Sequence, residues 1–155
     1  MNANKRPAIL LLMSNNNVQI FSEAIESIEV NILCACNLCE ARNSVPDDSL
    51  LEVVVTDLTL PDGNWSDVLR WTVNRGHQTN LVVCTPVADE YLWSEVLWRG
   101  GFDLLVSPYG REEIRRVIEG ARRSLFPPGL RPPSSLPSRP RSRPTASLSQ
   151  RRPLL

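Results

Sequence analysis

The chain has 155 residues, of which 42% are apolar and 22% charged, the make-up of one globular domain with room for an extension. Its formal net charge of zero conceals an asymmetry: residues 127–155 hold six arginines and no acid, so the other 126 residues carry eleven basic groups against seventeen acids. No apolar run approaches the roughly 20 residues that span a bilayer, and no small-residue cleavage site follows the short apolar run near the start, so a membrane protein and a secreted one are set aside and a cytoplasmic location is expected.

Residues 8–13 (AILLLM) are continuously apolar, as in a strand covered on both faces. They end in "SNNN", with no acid. Residues 17–28 then place Ile20, Phe21, Ala24, Ile25 and Ile28 at helical spacing. Residues 30–36 (VNILCAC) read as a strand, and residues 37–44 as one or two helical turns. Residues 52–56 (EVVVT) are short and β-branched, a third strand, closing on Asp57. "PDGNW" at 61–65 is a turn signal, since Asp-Gly favours positive φ, and Asn64 is placed to cap the next helix.

Residues 65–75 are helical, with Val68, Leu69 and Thr72 or Val73 inward; residues 80–85 (NLVVCT) form a fourth strand ending at Thr85. Residues 88–99 are helical and stop at Gly100-Gly101. Residues 102–107 (FDLLVS) form a fifth strand ending at Ser107, and Ile114, Val117, Ile118, Ala121 and Leu125 mark an amphipathic helix over 111–125. A βα unit repeated five times argues for a parallel sheet with helices on both faces. Ligands and chemistry in that architecture gather at the carboxyl ends of the strands, which makes Ser14, Asn15, Asp57, Thr85 and Ser107 the residues to read.

Eight prolines, six serines and six arginines fill 20 of the 29 residues from 127 to 155. That segment has too little apolar surface to offset its ordering entropy and is expected to be a disordered tail behind a domain of residues 1–126. Its basic charge suits non-specific contact with nucleic acid or acidic partners, though a solvated extension is the simpler reading.

Taken in order, "VVVTDLTLP", "LVVCT" and "SPY" preceded by "RGGFDLLV" resemble the receiver domain of bacterial response regulators over residues 8–125. The resemblance implies a flavodoxin-like three-layer α/β sandwich with a five-stranded parallel sheet in the order 2-1-3-4-5. It implies that Asp57 is the phosphoacceptor position, that Thr85 is the hydroxyl after the fourth strand, and that Pro108 follows the position of the receiver lysine. Two acids usually end the first strand of such domains; Ser14 and Asn15 stand there, and Met13, Asn16 and Asn17 offer no acid in a shifted register. The lysine position holds Ser107, and the switching aromatic falls at Leu104.

What remains for Mg²⁺ is Asp57, the Thr59 backbone carbonyl by resemblance, and amide oxygens, a poor set for an ion that prefers several carboxylates and waters. No resident cofactor is expected, and Mg²⁺ binds weakly if at all. Without metal and lysine, several kcal/mol of phosphoryl-transfer stabilisation is missing. The pocket thus holds one acid among the neutral groups of Ser14, Asn15, Thr85 and Ser107. The resemblance implies a divergent stand-alone receiver in phosphorelay signalling, not an enzyme, with a histidine kinase or phosphotransfer protein upstream. A phosphorylation-independent interaction module is the alternative, in which Asp57 simply caps a turn.

Other features have bland readings beside sharp ones. Metal ligation by Cys34, Cys36 and Cys39 needs a fourth convergent ligand, and Cys84 lies three strands away in the implied order, roughly 14 Å at ~4.8 Å per strand; free, mostly buried thiols are expected rather than a metal site. His77, the single histidine, falls in a loop and is assigned no role. Asp62 is read as a turn residue. "EYLWSEVLW" at 90–98 carries more large apolar side chains than one helix face can bury. Trp93 and Trp98, with Leu104, are therefore assigned to a partner surface on the fourth helix, fifth strand and fifth helix.

Overall fold

The computed structural model describes residues 7–76, 78–87 and 89–124. The tail at 127–155, His77 and Leu125 lie outside the described residues. In chain order the elements are β1 (Ala8–Leu12), α1 (Asn15–Ala24), β2 (Asn31–Ala35), α2 (Leu38–Ser44), β3 (Leu51–Asp57), β4 (Thr59–Leu60), β5 (Gly63–Asn64), α3 (Trp65–Asn74), β6 (Asn80–Thr85), α4 (Glu90–Trp98), β7 (Asp103–Val106) and α5 (Arg111–Arg123).

β2, β1, β3, β6 and β7 form one sheet in that order, every pairing parallel. The order is the expected 2-1-3-4-5 once the two-residue strands β4 and β5, which pair only with each other, are left out of the numbering. That small ribbon was read in the sequence as a plain turn. The central strands are apolar on both sides because each side has its own helical layer. Leu10, Leu12, Val54, Leu81, Val83 and Leu104 face the layer of α2, α3 and α4. Ile9, Leu11, Val53, Val55, Val82, Cys84 and Leu105 face α1 and α5.

Helix ends follow local chemistry. α3 starts with a capping box, in which Asn64 Oδ1 accepts from the Ser66 and Asp67 amides and Asp67 accepts from the Asn64 amide. α4 starts on Asp89, which accepts from the Tyr91 and Leu92 amides. α1 begins two residues earlier than its apolar spacing suggests and ends at Ala24, ahead of Ile28. After α4 the chain turns at Gly100 with φ of +111°, and a Cβ on Gly101 would come within 2.6 Å of Val96 Cγ1. Glycine is needed there for both reasons.

Candidate functional site

Side chains alternate between the two faces of a strand. Asp57 continues the row of Val53 and Val55, so its carboxylate leaves the sheet on the α1 side. There the start of α1 meets it. The Ser14 amide donates to Asp57 Oδ2 at 3.1 Å, and the Asn17 Nδ2 donates to Asp57 Oδ1 at 3.1 Å. Across the sheet Asp57 pairs in register with Cys84. Tyr109, beyond β7, packs edge-on against Phe21, with ring centroids 5.3 Å apart.

The carboxylate marks its neighbours electrostatically. Burial, and then the charge of Asp57, push the Cys84 thiol well above its ordinary range. The Tyr109 phenol is raised by burial first and then by Cys84 and Asp57. Both groups therefore stay protonated beside Asp57 and offer neutral chemistry only.

The expected pocket residues divide. Ser14 reaches Asp57, but through its backbone amide. Thr85 continues the opposite row, that of Leu81 and Val83, and its hydroxyl lies 3.3 Å from both the amide nitrogen and the carbonyl oxygen of Val87. Ser107 sits at the same rim, its amide donating to the Thr85 carbonyl at 3.0 Å. Asn15 turns elsewhere: its Oδ1 accepts from the Cys36 thiol at 3.7 Å. Thr59 is exposed at the start of β4. Asn17 is the partner that sequence reasoning missed. It stands three residues after Ser14, in the first turn of α1, whereas opening the helix at residue 17 does not set Asn17 one turn beyond a cap at Ser14.

Mg²⁺ needs several hard oxygen donors. Asp57 is the one carboxylate at this rim among the residues named, and each of its oxygens already accepts from an N–H. Among the described residues no group of three or more His, Cys, Asp or Glu side chains is placed to hold a metal. The donor set does not fit the ion.

Three expectations are corrected. Leu104, expected on a partner surface, is 1% exposed and part of the core between the sheet and α4; its position on β7 points it inward, and an aliphatic side chain gains most by staying there. Cys34, Cys36 and Cys39, expected to be mostly buried, are exposed, and only Cys84 is buried. Cys34 lies on the edge strand β2, Cys36 just after it and Cys39 in the first turn of α2, all three at the surface of the described body. Asp62 is more than a turn residue: its carboxylate accepts from the Leu38 amide at 2.8 Å and the Cys39 amide at 2.9 Å, at the start of α2. Those bonds hold its carboxyl below the usual range, Leu38 contributing most. Asp62 also borders an open groove of about 450 Å³ shared with Leu38, Cys39, Arg42, Asn43 and Asp67, away from Asp57.

α4 behaves as its composition requires. Val96 is its one fully buried residue. Trp93 is half-buried, its indole nitrogen covered without a hydrogen-bond partner. Tyr91 and Trp98 are 84% and 88% exposed. No helix is long and apolar enough to cross a membrane among the described residues.

Sheet order and layers are those of the flavodoxin-like α/β fold of response-regulator receiver domains. The non-phosphorylated HemR receiver domain of Leptospira biflexa is similar, with a TM-score of 0.68 and 23% identity over 79% of this chain and 98% of that one. So is a response regulator of Thermotoga maritima, at 0.68 and 17% over 77% and 99%. A receiver domain protein of Clostridium thermocellum stands at 0.66 and 18% over 76% and 94%. No protein-family model and no curated protein matches the sequence.

Proposed function

We propose that this chain is a divergent receiver module of phosphorelay signalling that works through protein contacts, with Asp57 in the phosphoacceptor position and little or no dependence on Mg²⁺. The observation that carries the reading is the place of Asp57. It is a half-exposed carboxylate at the carboxyl tip of the central strand, at the rim where β1, β3, β6 and β7 end. A histidine kinase or phosphotransfer protein would supply the phosphoryl group. Trp98 and Tyr91 on α4, with half-buried Trp93 behind them, supply an apolar surface for a protein target.

Chemistry at Asp57 would be slow. Each carboxylate oxygen accepts one hydrogen bond, which leaves a lone pair to attack phosphorus but lowers the oxygen's nucleophilicity. Among the described residues of the rim no lysine stands to balance the incoming charge and no acidic pair stands to hold a metal ion that would, and each ~1.36 kcal/mol withheld from the transition state slows the step tenfold. Incubation with acetyl phosphate, with and without Mg²⁺, followed by intact-mass measurement tests this. The expected result is a slow +80 Da adduct (roughly the mass of one phosphoryl group) that Mg²⁺ barely accelerates and that Asp57→Asn abolishes. Strong acceleration by Mg²⁺ would refute the site chemistry.

A second reading is a module that never takes phosphate, favoured by the same two hydrogen bonds, because they give Asp57 a structural occupation. Absence of any adduct after long incubation, together with partner binding unchanged in Asp57→Asn, selects it.

A further inference from the structure

The five described helices differ in how their first turns are closed. α2 has Asn37, whose side chain accepts from the Glu40 amide, and Asp62 in addition. α3 has its capping box and α4 has Asp89. α5 lacks a side-chain cap but carries Glu112 and Glu113 in its first turn. α1 alone has neither: Ser14 makes no side-chain cap and the first turn holds no acid. A helix start exposes unpaired N–H groups and a positive end, which favour a nearby anion. The anion at α1 comes from β3: Asp57 accepts from the Ser14 amide and from Asn17 in that first turn.

The opposite side of the rim makes no such link. The Thr85 hydroxyl is engaged with Val87, Leu104 is a buried aliphatic residue, and α4 is closed by its own Asp89. We propose that Asp57 is the capping anion of α1, with Asn17 as its positioning residue, so that a change at Asp57 is felt in α1 and not in α4. The assignment deepens the reading of Asp57 given above, but its capping part holds whether or not Asp57 ever receives phosphate. Conversion to an acyl phosphate turns the carboxylate oxygen that attacks into a bridging ester-like oxygen, a poorer acceptor. One of the two bonds from α1 must then move to the phosphoryl oxygens or break.

Hydrogen exchange read by mass spectrometry on the full chain tests the inference. In Asn17→Ala, and in Asp57→Asn, amides of residues 15–24 are expected to exchange about five- to tenfold faster, the size of a lost helix cap. Residues 90–106 are expected to stay unchanged. Faster exchange centred on α4 and β7 with α1 unaffected overturns the proposal, and so does no change in either variant. Should Asp57→Asn fail to fold, Asn17→Ala, which removes one bond of the two, decides alone; equal acceleration throughout the molecule in that variant also refutes it. An acetyl phosphate arm, run on material whose adduct is verified by intact mass, is expected to speed exchange in α1. Lack of adduct sinks the phosphoacceptor reading while leaving the capping result standing.

Discussion

α1 and α4 flank the same rim and are held in opposite ways. α1 borrows its cap from β3 but is anchored by a fully buried Phe21 with Ala24 beneath it. α4 brings its own cap yet buries only Val96 fully, with Leu92 and Trp93 packed beside it and two large rings in solvent. The first helix is tied into the body through Asp57; the second is closed by its own Asp89 and leaves two large rings exposed. The proposed function thus divides coupling to the site and contact with a partner between two helices.

The contrast can be broken by substitution, from the largest effect down. Phe21→Ala removes a fully buried ring and its edge contact with Tyr109, and should cost about 3–5 kcal/mol in denaturant unfolding. Val96→Ala should cost about 2 kcal/mol, two methyl groups' worth of burial, and loosen α4 without touching Asp57. Asp57→Asn should cost roughly 1 kcal/mol through the cap of α1; a stability gain instead would mean that no cap exists. Tyr91→Ala and Trp98→Ala should each change stability by less than about 0.5 kcal/mol while weakening capture of a protein target, so a large loss of stability would show that these rings are packed. The smallest effect is a pH dependence at Asp62. Its pKa is depressed in the folded protein, so its bonds to the Leu38 and Cys39 amides add stability above the ordinary carboxyl range, and that stability is lost as pH falls through the lower folded value. Carboxyl titration by NMR should place the Asp62 midpoint below that of a free aspartate.

Much of this was legible in the sequence. Apolar runs such as AILLLM and NLVVCT announced strands covered on both faces, and the strand order followed from the resemblance. The absence of partner acids at Ser14 and Asn15, and of lysine at Ser107, was equally plain. What escaped was direction. Nothing in a linear spacing shows that Asn15 turns to Cys36 while Asn17 turns to Asp57, because a shift of two residues along a helix rotates a side chain by about 200°. Leu104 was misplaced because a family position implied a surface, whereas strand parity put the side chain in the core. Asp62 was underrated because its acceptor role depends on α2, 23 residues upstream and separate in sequence.

One contact at the far end of the sheet has a practical side. Asn80, at the start of β6, donates to the carbonyls of Ala121 and Ser124 at 2.7 and 3.3 Å, fixing the end of α5 to the amino-terminal edge of the strands. β1 opens at that same edge. Both ends of the described body are therefore on the side away from Asp57, four residues or roughly 13 Å along β6 from the Cys84 level. Holding the described body from that amino-terminal edge of the strands leaves the aspartate rim open to reagents and labels.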